Sequence, residues 1–293
     1  MQPEAVEGLI QRAERLLERL EGLLPPRREP PDFAACHAFR WQRSGERGWL
    51  RAVDFHGRAG LDDLLGIDRQ KGEVLRNTRQ FLAGLPANNV LLWGPRGTGK
   101  STLVRALLHD LHPQGLRLVE VDKADLVQLP EIADTLRKRP EYFILFCDDI
   151  SFEAGDPAYK TLKAMLDGSL ATADSRLLIY ATSNRRHLLP EPQEENLQTR
   201  VVGTELHHGE AVEEKISLSE RFGLWLAFHP FDQETYLRIA GHWLERLGAG
   251  PLDDTARAEA LRWALTRGSR SGRVAWQFAC DLAGRRGLGE VQG

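Results

Sequence analysis

Residues 90 to 108, VLLWGPRGTGKSTLVRALL, constrain this chain more than any other stretch. A short apolar run predicts a strand, a glycine-rich segment follows, and the apolar spacing beyond it predicts a helix. Gly94, Gly99, Lys100 and Ser101 fit G-x-x-x-x-G-K-[ST], with Pro95, Arg96, Gly97 and Thr98 between the glycines and Thr102 after the serine. Glycine carries no Cβ, so consecutive backbone N–H groups can curl around phosphate oxygens at such a turn. Lys100 supplies a point charge to β- and γ-phosphates. Ser101 offers its hydroxyl to Mg²⁺, and a helix opening at Gly99 or Lys100 aims the positive end of its dipole at the anion. The strand before and the amphipathic helix after are the context this motif requires.

At 293 residues the chain can bury a sizeable core, which predicts one main domain with smaller additions. A net charge of −3, from 39 Lys and Arg against 42 Asp and Glu, implies no general attraction to nucleic acid or to an anionic membrane. DNA stays possible as a partner but is not indicated by charge. Cys36, Cys147 and Cys280 are too few and too scattered for a disulfide framework or a zinc cluster, so a cytoplasmic location is expected. No apolar signal core or membrane-spanning run is present in the sequence.

Residues 3 to 24 place Val6, Leu9, Ile10, Ala13, Leu16, Leu17, Leu20 and Leu24 at helical spacing, the stripe of an amphipathic helix that packs on its own domain or on a partner. PPRREPP, residues 25 to 31, breaks that helix into a linker. Residues 38 to 53 predict two short strands around Ser44-Gly45-Glu46-Arg47-Gly48. Arg40, Arg43, Arg47 and Arg51 interleave there with Phe39, Trp41 and Trp49. Single-stranded nucleic-acid binders use such a composition, but so does a hairpin with one buried aromatic face and one solvated arginine face. Residues 60 to 86 predict a turn of helix, a break at Gly66 and Ile67, and a longer helix with Val74, Leu75, Thr78, Phe81 and Leu82 on one face. Apolar strands at 90–93, 117–121, 143–147, 177–182 and 223–228 then alternate with helices at 99–111, 124–138 and 157–170, and helices at 232–247, 253–267 and 271–286 close the chain. The fold class predicted is α/β: a five-stranded parallel sheet sandwiched by helices at residues 60–229, a small all-α lid at 230–293, and an N-terminal helical and hairpin extension at 1–59.

YFILFCDDI, residues 142 to 150, is an apolar strand ending in two adjacent carboxylates. Burial explains the run but not Asp148 and Asp149, whose like charges need a cation beside them. In a phosphate-loop protein that cation is Mg²⁺, held through water by Asp148, which leaves Asp149 to orient or deprotonate an attacking water. LLIYATSN, residues 177 to 184, ends in Thr182, Ser183 and Asn184, and the carboxyl ends of neighbouring strands converge on the ligand crevice. Asn184 there could bond both γ-phosphate and water. Arg221, just before the last strand, reads either as a residue reaching a neighbouring chain's site or as an ordinary helix-ending arginine. Arg273 follows the predicted N-cap Ser271; an arginine opposed to the helix dipole favours a nearby anion, with Arg270 as the alternative.

Taken in order, these blocks resemble the AAA+ ATPases. The loop at 94 to 101 resembles that superfamily's Walker A, Asp148 and Asp149 its Walker B, Asn184 its sensor 1, Arg221 in SERFG its arginine finger, and Arg273 its sensor 2. The resemblance covers about residues 60 to 290. It implies Mg²⁺-dependent ATP hydrolysis, adenine packing at Gly66 and Ile67, a homo-oligomer with sites shared between chains, and remodelling or loading of an unknown macromolecule. DDISFEAGD and SERFGLWLAF are similar to the replication-initiator and helicase-loader branch. PANNVLLWGPRGTGKS, DDISFE, YATSNRRHL and SLSERFGL resemble an uncharacterised bacterial AAA+ family known as a domain of unknown function. The chain ends with its lid, so the initiators' C-terminal helix-turn-helix and specific duplex binding are not expected. An acidic insertion at 189 to 216, carrying His207 and His208, is expected as a surface loop. Two other readings stay open: a nucleotide-dependent switch that hardly hydrolyses, because Asp149 is one methylene shorter than Glu, and a phosphate-loop kinase for a small molecule.

Overall fold

The computed structural model describes Arg12 and residues 30–45, 47–55, 57, 59–153, 155–169, 176–186, 188 and 218–289. The chain divides into two units, Met1–Pro31 and Asp32–Gly293, and the second carries the fold. The expected N-terminal helix and linker, apart from Arg12, Pro30 and Pro31, and the acidic insertion with His207 and His208 lie outside the described residues.

Among the described residues seven strands form one sheet: β1 (Ala38–Ser44), β2 (Arg47–Ala52), β3 (Val90–Trp93), β4 (Leu116–Glu120), β5 (Tyr142–Cys147), β6 (Leu177–Ser183) and β7 (Leu224–Ala227). Their order is β2-β1-β4-β5-β6-β3-β7, and every neighbouring pair is parallel except β1 with β2. The five expected parallel strands are therefore present, and the hairpin extends the same sheet by pairing β1 with β4. Its turn is tighter than expected, because Arg47 and Gly48 already belong to β2. Phe39 and Trp41 of the hairpin are buried. Arg40 and Arg43 pair with Glu120 at 2.7 Å and with Asp125 at 2.8 Å. The register puts Trp49 on the face of Arg40 and Arg51, and Arg43 on that of Phe39 and Trp41, so the expected division into an aromatic face and an arginine face is incomplete.

Near-continuous apolar strands arise because both faces of the sheet are covered. On β5, Phe143, Leu145 and Cys147 enter one core while Ile144 and Phe146 enter the other; on β6, Leu177, Ile179 and Ala181 divide from Leu178 and Tyr180 in the same way. Helix α1 (Asp68–Leu82) and helix α2 (Lys100–Leu111) contribute to the second core through Val74, Phe81, Leu103, Val104 and Leu107. Helix α3 (Leu129–Leu136) and helix α4 (Pro157–Ala164) contribute to the first. The two long helices expected at 124–138 and 157–170 are each composite. A 3₁₀ segment, Lys123–Gln128, precedes α3 with Pro130 in its first turn, and a π-helical turn, Met165–Ser169, follows α4.

Helices α5 (Gln233–Arg246), α6 (Asp254–Thr266) and α7 (Gly272–Gly287) build a third core from Tyr236, Ala240, Leu244, Ala260 and Phe278. Asp232, Asp253 and Ser271 cap them by accepting from the backbone N–H of Thr235, Ala256 and Val274. Those bonds hold the Asp232 and Asp253 carboxyls below the usual range. The lid meets the sheet side through Asp63, which is almost fully buried and accepts from Gly60 N and His242 Nε2, each at 2.9 Å.

Candidate functional site

The loop between β3 and α2 turns through three glycines with positive φ: Gly94 at 138°, Gly97 at 78° and Gly99 at 99°. A Cβ on Gly94 would lie 2.2 Å from the Phe228 carbonyl oxygen, and one on Gly97 would lie 2.7 Å from Ser271 Oγ. Only glycine fits either position. Thr98 Oγ1 donates to Pro95 O at 2.9 Å and closes the turn on itself. The lid rests on it as well, with Gly272 N donating to Gly97 O at 2.9 Å. Helix α2 starts at Lys100 with Gly99 as its left-handed N-cap, as expected.

Lys100 is 6% exposed. Its ammonium donates to Gly94 O at 2.6 Å, Pro95 O at 2.8 Å and Asn184 Oδ1 at 3.3 Å. Burial pushes this group below the usual lysine range, with Asp149 and Asp148 pulling the other way. Ser101 Oγ donates to Asp148 Oδ1 at 2.5 Å, so the loop and the acidic end of β5 meet directly.

Each aspartate has a guanidinium beside it. Arg105, one turn beyond Ser101 on α2, approaches Asp148 Oδ2 at 3.4 Å and Glu120 Oε1 at 3.1 Å. Arg96 approaches Asp149 Oδ2 at 3.3 Å. Asn184 Nδ2 donates to Asp149 Oδ1, so Asn184 bridges Lys100 and Asp149. Asp149 has φ of 52°, the one non-glycine residue with positive φ among the described residues. The sequence marks Asp148, Asp149 and Asn184 as site residues, but gives Arg105 no role and Thr182 only that of a polar strand end. The signal for Arg105 was available: the i, i+4 step from Ser101 puts both on one face of α2.

A cavity of about 540 Å³ opens beside these groups, within the range of small-molecule sites. Its polar lining includes Arg96, Gly97, Thr98, Gly99, Lys100, Ser101, Thr102, Asp148, Asp149, Thr182, Asn184 and Arg273. Its apolar lining includes Leu64, Ile67, Phe231, Trp243 and Trp276. Gly94 and Pro95 do not line the cavity and reach the site through their carbonyls. Ile67 lines it, whereas Gly66, at φ of 75°, is turned toward Thr235 and Phe231. Of the two lid arginines, Arg273 reaches the cavity and Arg270 does not. Trp276 lies one turn after Arg273 on the same face of α7, a spacing visible in the sequence. Arg221 is not part of this lining; its guanidinium pairs with Asp167 in the π-helical turn. No cluster of three or more His, Cys, Asp or Glu side chains able to hold a metal occurs among the described residues.

Parallel strands with the glycine-rich loop on β3, one strand in from the sheet edge, flanked on both faces by helices and followed by a helical lid, define the fold. Solved structures of that fold match it. Thermotoga maritima RuvB, the Holliday junction branch migration motor, superposes with a TM-score of 0.56 at 16% identity over 81% of this chain and 68% of that one. The replication initiator DnaA, bound to AMPPCP and single-stranded DNA, superposes with 0.52 at 16% identity over 82% and 67%. Within that class, residues 34–286 match the family model described as protein of unknown function DUF815, and the chain belongs to this family.

Proposed function

We propose that the chain is an Mg²⁺-dependent ATPase that works as an oligomer and couples hydrolysis to remodelling or loading of another macromolecule. One observation carries the reading: Lys100, Ser101, Asp148, Asp149 and Asn184, from three separate strand ends, converge beside the cavity, with Lys100–Asn184–Asp149 and Ser101–Asp148 joined by hydrogen bonds. The cradle that admits no Cβ at Gly94 and Gly97, with a buried lysine at its base, fits a triphosphate.

In this reading Lys100 would meet the β- and γ-phosphate oxygens, and Ser101 and Asp148 would hold Mg²⁺. The ion, when bound, neutralises charge that develops on the phosphates. Asp149 orients the attacking water or takes its proton, and the amide of Asn184 fixes the carboxylate's direction. Ile67, Phe231, Trp243 and Trp276 offer the base an apolar seat, and Arg273 joins the phosphates from the lid. Arg221 serves a neighbouring chain, which its absence from its own cavity supports. Free Cys36 and Cys147 suit a reducing cytoplasm. No helix among the described residues is long and apolar enough to cross a membrane.

Steady-state ATP turnover of Lys100→Ala tests the assignment: turnover should fall to background, and turnover at the parent level would refute it. A second reading, a switch that binds ATP and hardly hydrolyses it, draws on the engagement of the Asp149 carboxylate by both Asn184 and Arg96. Turnover at or above about one per second excludes the switch, since that is the low end of ordinary enzyme rates. A mixture of Arg221→Ala and Lys100→Ala chains should recover turnover, and a monomeric small-molecule kinase would show no such recovery.

A further inference from the structure

Beyond the residues already given roles, one buried hydroxyl touches both aspartates. Thr182 is 1% exposed. Its Oγ1 donates to Asp148 Oδ1 at 2.6 Å and accepts from Asp149 N at 2.8 Å. Its own backbone carbonyl accepts from Ile150 N at 2.8 Å, so the turn after β5 is pinned to β6 at Asp148, Asp149 and Ile150.

The register of the sheet dictates this contact. Phe146 pairs with Tyr180 and Cys147 with Ala181 across β5 and β6. One step further along, Asp148 stands beside Thr182. Side chains alternate between faces of a strand, so Asp148 and Thr182 share the face of Phe146 and Tyr180, which is the face that α2 covers. A threonine at this point matches the partners in number and kind: one hydroxyl proton for a carboxylate oxygen and one lone pair for a backbone N–H. The chemistry also explains how Asp149 keeps a left-handed backbone without being glycine, since the bond to its N–H holds the peptide in place.

We infer that Thr182 is a positioning residue for the hydrolytic centre: it keeps the Asp148 carboxylate aimed at the metal position and fixes the backbone from which Asp149 projects. The inference rests on the ATPase reading above. Ser101 also donates to Asp148, but in that reading its hydroxyl turns to Mg²⁺ during the cycle. Thr182 sits behind the carboxylate in the sheet and stays. It is the fixed donor, and Ser101 is the exchangeable one. Loss of the Thr182 hydroxyl removes one anchor from each aspartate while leaving the phosphate cradle intact, so it acts on turnover and on Mg²⁺ demand and spares nucleotide affinity.

The test uses the full chain with Thr182→Val, which keeps the shape and removes the hydroxyl, Thr182→Ser, which keeps it, and Lys100→Ala as a reference. Turnover, the Mg²⁺ concentration for half-maximal turnover, affinity for a fluorescent ATP analogue and melting temperature are measured together. Misplacement of a catalytic group by about 1 Å costs on the order of a hundredfold in rate. Thr182→Val should therefore lose roughly ten- to a hundredfold in turnover and need severalfold more Mg²⁺. Its nucleotide affinity should stay within about threefold of the parent, and Thr182→Ser should recover most of the loss. Parent-level turnover in Thr182→Val beside an inactive Lys100→Ala overturns the positioning role and leaves the ATPase reading standing. Equal losses of affinity and turnover with a lowered melting temperature also overturn it, since they mark a merely structural residue. Should Thr182→Val not fold, Thr182→Cys, a near-isostere whose S–H is a weak donor, decides in its place: it should show the turnover loss, and parent-level turnover overturns the role. An active Lys100→Ala removes the reading itself.

Discussion

Replacing Tyr180 by Phe should reverse the order of stability between parent and variant as pH rises. Tyr180 is fully buried on β6, two residues before Thr182, and its hydroxyl contacts Thr78 Oγ1 at 2.8 Å and Asn77 Nδ2 at 3.0 Å. Thr78 already donates its proton to Val74 O, so the tyrosine donates to Thr78 and accepts from Asn77. In the Phe variant Thr78 keeps Val74, and Asn77 keeps its bond to Asn88 O at 2.9 Å but leaves one buried N–H unmatched. Near pH 8 the substitution should therefore cost about 1 to 2 kcal/mol.

At high pH the same hydroxyl becomes a liability. Burial pushes it from its ordinary 10.0 to about 12, against the opposing effect of the Thr78 and Asn77 bonds. The folded value lies above the unfolded one, so the unfolded chain releases the proton first. The contribution is fully present below pH 10 and is lost as pH rises from 10 through about 12. At about 1.4 kcal/mol per pKa unit the full loss is about 3 kcal/mol, and near pH 11 it is half of that, about 1.4. Phenylalanine has no proton to lose. Tyr236 and Cys147, also pushed up to about 12 by burial, are common to both chains and cancel in the difference. Guanidinium midpoints measured from pH 8 to 11.5 should start with the parent ahead and converge near pH 11. Parallel curves over that range would refute the burial and bonding assigned to Tyr180.

Gly94→Ala places a Cβ 2.2 Å from a backbone oxygen at a φ that L-residues rarely adopt, so nucleotide binding should be lost and the melting temperature lowered; retention of parent-level affinity would contradict the cradle. Asp149→Asn should bind ATP within severalfold of the parent and lose turnover by on the order of a hundredfold or more, read by equilibrium binding beside steady-state kinetics. Trp243 and Trp276 both line the cavity and their rings lie 4.8 Å apart, so ATP should change the tryptophan emission of the parent and change it much less in Trp276→Phe.

The parts legible in the sequence were those whose chemistry is local. The glycine spacing before Lys100, the two aspartates at the end of β5 and Asn184 at the end of β6 each carry a signal within a few residues. The alternation of apolar strands with helices followed from burial on both sheet faces. Features set by pairing between distant segments were not legible. Parallel pairing of β1 with β4 leaves no local mark, so the hairpin read as an extension outside the sheet. Thr182 was recognised as a polar strand end, but its role depends on register with β5, which fixes its neighbour and face. The cations beside the aspartates were sought in a metal alone, whereas Arg96 and Arg105 approach them through the turn of the loop and the pitch of α2.

Equilibrium binding of ATP with and without Mg²⁺ to the parent, Lys100→Ala and Asp148→Asn tests most directly whether one magnesium–nucleotide complex spans the loop and the end of β5. The account predicts that Mg²⁺ tightens ATP binding in the parent, that Lys100→Ala weakens binding in both conditions, and that Asp148→Asn keeps the magnesium-free affinity while losing most of the tightening. Full magnesium enhancement in Asp148→Asn, or parent-level affinity in Lys100→Ala, would contradict it.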